Sequence, residues 1–331
     1  MVTEKIIGNI NGTDVYEYEI SDGRLRVTLM EYGATIHNVF FDGVDCVAGY
    51  DDLEGYINGD SYQGSTVGRY ANRIANAKFT LDGKEYAVGA NEKDVTMLHG
   101  GFVGFSHRLY KGEKLSDNAV KFTMESPDGE GGFPGNLVMS VTFSVENDTL
   151  KLFYEAESDK ATVVNFTNHA YFHLGAPNNL TTVLTMDAKY ITPVDDLLIP
   201  TGELMDVTGT YFDFTKGRVI GQDIEKIDIG GYDHNFVLGD KVEYKKNCIS
   251  AYCPETGITM NCSTDMPAVQ FYASCVLDEP VGKGGKPLTK YRAYCLETQF
   301  YPDTPNKPSF PSCRIEAGEK FTSVTEYEFV K

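Results

Sequence analysis

An all-β protein, built as one large antiparallel sandwich, is the fold class the sequence predicts. Three observations carry that expectation. Hydrophobic residues recur with a period near two along most of the chain, and apolar residues at i, i+3, i+4 and i+7 are scarce. The runs are short and rich in β-branched and aromatic residues, and 33 glycines and 13 prolines punctuate them. The elements follow in order. Val15–Ile20, Leu25–Met30, Thr35–Phe41 and Val120–Glu125 are predicted strands. Lys78–Leu81 and Lys84–Tyr86 flank Asp82-Gly83, a dipeptide that accepts the positive φ angles of a tight hairpin turn. Leu137–Val145 and Leu150–Glu157 form a second hairpin around Asn147-Asp148, and Thr181–Met186, Asn235–Leu238, Ile249–Tyr252, Ile258–Asn261 and Ala268–Tyr272 are further strands. Only 216–226 has the spacing of a short helix.

The length of 331 residues gives a soft prior of about two domains at ~150 residues each, but one large all-β domain accommodates it. No low-complexity linker, charge block or short repeat divides the chain, so a single domain over residues 1–331 is expected. Composition then removes several function classes. Acidic residues outnumber basic ones 48 to 29, a formal charge of −19, and no Lys/Arg cluster offsets the repulsion a nucleic acid would meet. Apolar residues at 41% supply a core and exclude disorder. No stretch approaches the ~18 apolar residues of a membrane helix, and the N-terminus lacks the apolar region of a signal peptide. A soluble, cytoplasmic protein without membrane or nucleic-acid partners is the expectation. The seven cysteines agree: their number is odd, no C-x-x-C pair occurs, and they fit buried, reduced thiols better than a zinc site.

Some polar residues sit where a plain sandwich would not need them. His99 lies in a Leu98-His99-Gly100-Gly101 turn, where two glycines free the backbone for close approach. His169 and His173 fall in Asn165–Leu174, four residues apart in a stretch of mixed period, and no third ligand nearby suggests a metal. Arg69-Tyr70-Ala71-Asn72-Arg73, taken alone, fits an exposed edge strand with solvated arginines. In Tyr294–Phe300, Cys295, Glu297 and Gln299 share one strand face while Leu296, Thr298 and Phe300 take the other. These groups, with Asp233 and His234, compose a polar set of the kind a sugar demands, since each hydroxyl needs both donors and acceptors.

The motifs Gly68-Arg69-Tyr70-Ala71-Asn72-Arg73-Ile74, Leu98-His99-Gly100-Gly101, Asn165–Leu174, Tyr232-Asp233-His234-Asn235-Phe236 and Glu297-Thr298-Gln299, followed by Pro302-Asp303-Thr304-Pro305-Asn306, stand in the order seen in aldose 1-epimerases. The resemblance runs from about residue 8 to the C-terminus. It implies the β-supersandwich fold of galactose mutarotases and cofactor-free interconversion of the α and β anomers of a free aldose. It also implies roles. Glu297 resembles the base and His169 the acid, with His99 assisting at the ring-oxygen side, while Arg73, Asp233 and Gln270, with Asn72 beside them, hold sugar hydroxyls. At ordinary values near ~4.3 and ~6.5, Glu297 would start ionised and His169 would need only modest tuning. Whether His169 or His99 gives the proton stays open at this level. So does the preferred sugar, because the chain has no tryptophan, carries His173 where asparagine is common, and follows Gln270-Phe271-Tyr272 with Ala273-Ser274-Cys275. A monomer or homodimer is expected.

Three rivals remain. A hexose-6-phosphate 1-epimerase would gather Arg or Lys around a dianion, for which Arg69 and Arg73 are in range. A glycoside hydrolase would pose two carboxylates, such as Glu297 and Asp233, across a glycosidic bond. A non-catalytic sugar-binding protein would need neither acid nor base.

Overall fold

The computed structural model describes residues 2–331. Three antiparallel sheets organise it. The largest has nine strands in the order Lys111–Ser116, Ala119–Ser126, Leu137–Glu146, Thr149–Ser158, Lys320–Val330, Ile258–Thr264, Lys245–Cys253, Val183–Met186 and Arg218–Val219. An N-terminal sheet runs consecutively through Thr3–Ile10, Thr13–Asp22, Leu25–Met30, Thr35–Phe41 and Val44–Asp45. A third orders Met205–Asp206, Tyr190–Ile191, Asp233–Val237, Ala268–Tyr272 and Cys295–Gln299.

The long sheet is the common floor on which the other two pack. Tyr18 meets Phe122 edge-on at 5.6 Å between ring centroids, and Phe41 packs on Phe329 at 5.7 Å, joining it to the N-terminal sheet. On the other side the Tyr327 hydroxyl donates to the Leu296 carbonyl at 3.1 Å, and Thr298 and Thr325 share a hydroxyl hydrogen bond at 2.5 Å. Leu296 and Thr298 therefore face the core, which leaves Cys295, Glu297 and Gln299 on the opposite face, as the alternation predicts. One apolar cluster extends from Val2 to Phe329 through all three sheets.

Most predicted strands fall within observed ones, and Leu25–Met30, Thr35–Phe41 and Ala268–Tyr272 have the predicted bounds. The helix expected over 216–226 does not form. That segment holds a two-residue strand and two 3-10 turns, because the N–H groups of Ile220 and Gly221 donate to the Thr182 and Leu180 carbonyls instead of up a helix. The α-helix among the described residues is Leu53–Asn58, capped by Asp52, whose carboxylate accepts from the Gly55 N–H at 3.0 Å. No helix among them is long and apolar enough to cross a membrane. All seven cysteines are buried and free.

Candidate active site

Register builds one wall of the site. Across the third sheet Asp233 pairs with Tyr272 and Tyr272 with Cys295, while the next row aligns Asn235, Gln270 and Glu297. Residues directly opposite share a face, so Asp233, Gln270 and Glu297 are brought together from three strands about 30 residues apart in sequence. The opposing wall comes from two short ladders. Thr167–Asn168 pairs with Thr66–Val67 and presents His169; Met97–Leu98 pairs with Arg73–Ile74 and presents His99.

The His99 turn depends on its glycines. Gly100 has φ +88° and lies so close to Gly68 that a Cβ there would sit 2.0 Å from the Gly68 carbonyl oxygen. Two bonds tie the turn to Asn72: the His99 N–H donates to the Asn72 carbonyl at 3.1 Å, and the Asn72 N–H donates to His99 Nδ1 at 3.2 Å. Because Nδ1 accepts, the neutral ring carries its proton on Nε2 and offers a donor to the cavity. A doubly protonated ring would set two N–H groups against each other. Burial, with His169 and Arg73 adding to it, also holds this imidazole well below the usual histidine range.

These walls enclose a cavity of about 360 Å³ whose lining includes Asn72, Arg73, His99, His169, Asp233 and Glu297. Six of the seven residues expected from sequence thus line one cavity. The seventh, Gln270, stands one step behind, where its Nε2 donates to Asp233 Oδ1 at 2.6 Å. His173 points elsewhere, its Nδ1 accepting from the Gly175 N–H at 2.9 Å. His37 is paired with Glu17 and does not line this cavity.

At the floor His169 Nε2 lies 3.6 Å from Glu297 Oε1, an ion-pairing distance longer than a hydrogen bond, and Glu297 Oε2 has no hydrogen-bond partner. Burial, reinforced by the Asp233 charge and only partly relieved by Arg73, raises the Glu297 carboxyl well above its ordinary range. Burial likewise pulls His169 down to about 4. Burial thus disfavours the charged form of both groups. These shifts run against the ordinary values expected of Glu297 and His169: solvation maintains those values, and both side chains are at most 6% exposed. His99, His169 and Glu297 each bring one ligand-type atom within 4.8 Å of the others, but the Nε2–H of His99 opposes cation binding.

The arginines differ most from the edge-strand reading. Arg69 and Arg73 are both buried, at 2% and 8% exposure. Arg69 points away from the cavity and donates to the carbonyls of Ser126, Pro134 and Gly135, clamping that loop. Arg73 makes a two-pronged pair with Glu92, Nε and Nη2 donating at 2.8 and 2.7 Å. Burial works against that guanidinium, but Glu92, Asp233 and Glu297 outweigh it and hold Arg73 above its ordinary value. Glu92 is a site residue that sequence reasoning missed, because nothing in its spacing links it to Arg73. Tyr62, Tyr171 and Tyr272 were missed too, hidden among 21 tyrosines.

A carboxyl group and two imidazoles facing one another in a polar cavity, ringed by fixed donors and acceptors, are equipment for moving protons on a small polyhydroxylated molecule. Comparisons with known proteins agree. The aldose 1-epimerase family profile matches residues 16–328. The chain is 38% identical to the galactose mutarotase of Bos taurus, over 99% of this chain and 98% of that one. It is 35% identical to the aldose 1-epimerase of Escherichia coli K12, over 92% of each. Among solved structures, it superposes on a galactose 1-epimerase from Lactobacillus acidophilus with a TM-score of 0.89, at 25% identity over 100% of this chain and 98% of that one. An aldose epimerase homologue from C. elegans gives 0.88, at 29% identity over 94% and 98%. The chain belongs to the aldose 1-epimerase family, and it is an isomerase acting on carbohydrates.

Proposed function

We propose that Glu297 and His169 interconvert the α and β anomers of a free aldose by sharing one proton between them. The observation that carries this reading is the 3.6 Å approach of His169 Nε2 to a buried carboxyl group with an unpartnered oxygen. The balance is simple. Passing the Glu297 proton to His169 leaves a carboxylate and an imidazolium. Glu297 takes the proton of the anomeric hydroxyl, His169 gives its own to the ring oxygen, and the C1–O5 bond breaks to an aldehyde. Rotation about C1–C2 and the reverse transfers close the ring from the other face. No net proton is gained or lost, so the reaction as written needs no cofactor.

His99 serves as a fixed Nε2–H donor at the ring oxygen and His169 as the acid, since the Asn72 N–H opposes a cationic His99. Arg73, Asp233 and Asn72 hold sugar hydroxyls, with Gln270 orienting the Asp233 carboxylate. A free rather than phosphorylated sugar is the substrate on electrostatic grounds. Arg73 is the single Lys or Arg among the described lining residues, it is already paired with Glu92, and six carboxyl side chains share the cavity with it. Residues 1–331 are read as one domain, supported by the continuous apolar cluster over the described part. We further read the protein as cytoplasmic and as a monomer or homodimer, which cell fractionation and light scattering test. The deciding experiment is polarimetry of freshly dissolved α-D-glucose and α-D-galactose. Faster approach to the same final rotation is expected; no acceleration with any free aldose would refute the reading.

A further inference from the structure

Tyr62 is anomalous on two counts. It is a bulky residue with φ +56°, in the left-handed region that such side chains rarely adopt. Its ring also packs against both pocket histidines, 4.7 Å from His99 and 5.9 Å from His169 between centroids. The strained backbone is held deliberately. The N–H and hydroxyl of Ser65 both donate to the Tyr62 carbonyl, at 3.1 and 2.9 Å, and the Gly64 N–H donates to the carbonyl of His169 itself at 3.0 Å. The loop that carries Tyr62 is thus bolted to the residue its ring covers.

Two tyrosine rings of the cavity stack on His169. Tyr171 lies at 5.0 Å with 28° between the planes, and Tyr62 at 5.9 Å with the same angle. The ring edges meet only weak partners: Cys295 Sγ lies 3.5 Å from Nδ1, and Glu297 Oε1 lies beyond hydrogen-bond distance of Nε2. Among the described residues no rear carboxylate fixes the imidazolium as an aspartate does in a Ser-His-Asp triad. An aromatic face carries negative quadrupolar density and attracts a cation within about 6 Å of its centroid.

We propose that Tyr62 is a positioning residue that supports the protonated form of His169 with its ring face while the sugar ring opens. The proposal rests on His169 being the acid. Its effect lies in the chemical step, on kcat, because only there does the imidazolium form.

The test replaces Tyr62 by phenylalanine and then by its 4-fluoro, 3,4,5-trifluoro and pentafluoro analogues in the full chain, which keeps the ring shape while draining electron density from its face. Phenylalanine, which keeps the ring and removes the hydroxyl, sets the reference kcat for the series. From phenylalanine to pentafluorophenylalanine, kcat should fall progressively by about tenfold, with KM for the free aldose steady within about twofold. A flat series would overturn the proposal. A rise in KM with unchanged kcat would overturn it as well, by setting the ring against the sugar rather than the imidazole. His169→Asn, measured alongside, separates the two claims. If that variant turns over normally, the acid assignment fails; if it is inactive and the fluorine series is flat, only the role of Tyr62 falls.

Discussion

At the scale of single residues, the proton pair at the cavity floor governs pH behaviour. In the proposed mechanism the singly protonated pair is the competent one, so protonating His169 as well, or removing the Glu297 proton, stops the exchange. Turnover should therefore hold steady below neutrality and drop only as pH falls toward about 4, the value to which burial pulls His169. A pH–rate profile that breaks near the ordinary histidine value of ~6.5 would contradict the pair as described. Glu297→Gln and His169→Asn should each lower kcat by about 10²–10⁴-fold in polarimetry, the usual worth of a positioned acid or base. Both variants should still bind sugar in calorimetry.

At the scale of elements, two connections set the pocket. In the His99 turn, Gly100→Ala adds a Cβ where the Gly68 carbonyl already stands, at a positive φ that alanine resists. Displaced His99 should cost at least tenfold in kcat/KM, with the loss of thermal stability read from the same preparation by calorimetry. The Arg73–Glu92 pair joins the Arg73–Ile74 strand to the loop before His99. Glu92→Gln leaves a buried guanidinium without its carboxylate and should destabilise the fold by about 2 kcal/mol in urea unfolding. It also frees a cation in the cavity, so the ratio of hexose 6-phosphate to free hexose turnover should rise. Which elements the sequence revealed follows from how cleanly they alternate. Leu25–Met30 and Ala268–Tyr272 could be bounded because apolar, β-branched and aromatic residues dominate them. The 11-residue strand Lys320–Val330, central to the long sheet, escaped notice because its buried face carries Ser323 and Thr325 between Phe321 and Tyr327. The Thr325 hydroxyl is buried where it meets those of Thr264 and Thr298. Thr3–Ile10 escaped for the opposite reason, as an edge strand with most side chains exposed. Ile220 and Ile224 are buried within 216–226, but neighbouring carbonyls take the backbone donors a helix would need.

At the scale of the whole molecule, burying histidines makes stability sensitive to mild acid. Burial holds His169 and His234 at about 4, His173 at about 3 and His99 well below the ordinary value, so unfolding in mild acid takes up protons there. The sign is set by the unfolded chain binding protons first: this stability is present above ~6.5 and drains as pH falls. Glu297 acts the other way, because its raised carboxyl keeps in the fold a proton that unfolding releases near pH 5. The buried histidines outnumber this single raised carboxyl, so urea titrations from pH 7 to 4.5 should show unfolding free energy falling; a flat profile would refute the neutral buried state of these rings. The sequence by itself determined the β class, the family, and six of the residues that line the cavity, because alternation and ordered motifs are written along the chain. It could not determine the Arg73–Glu92 pair, the direction of Arg69, the tautomer of His99, or the burial that disfavours charge on Glu297 and His169. Those depend on which groups meet across strands and on how little water reaches them, and both properties arise only when the sheets close over one another.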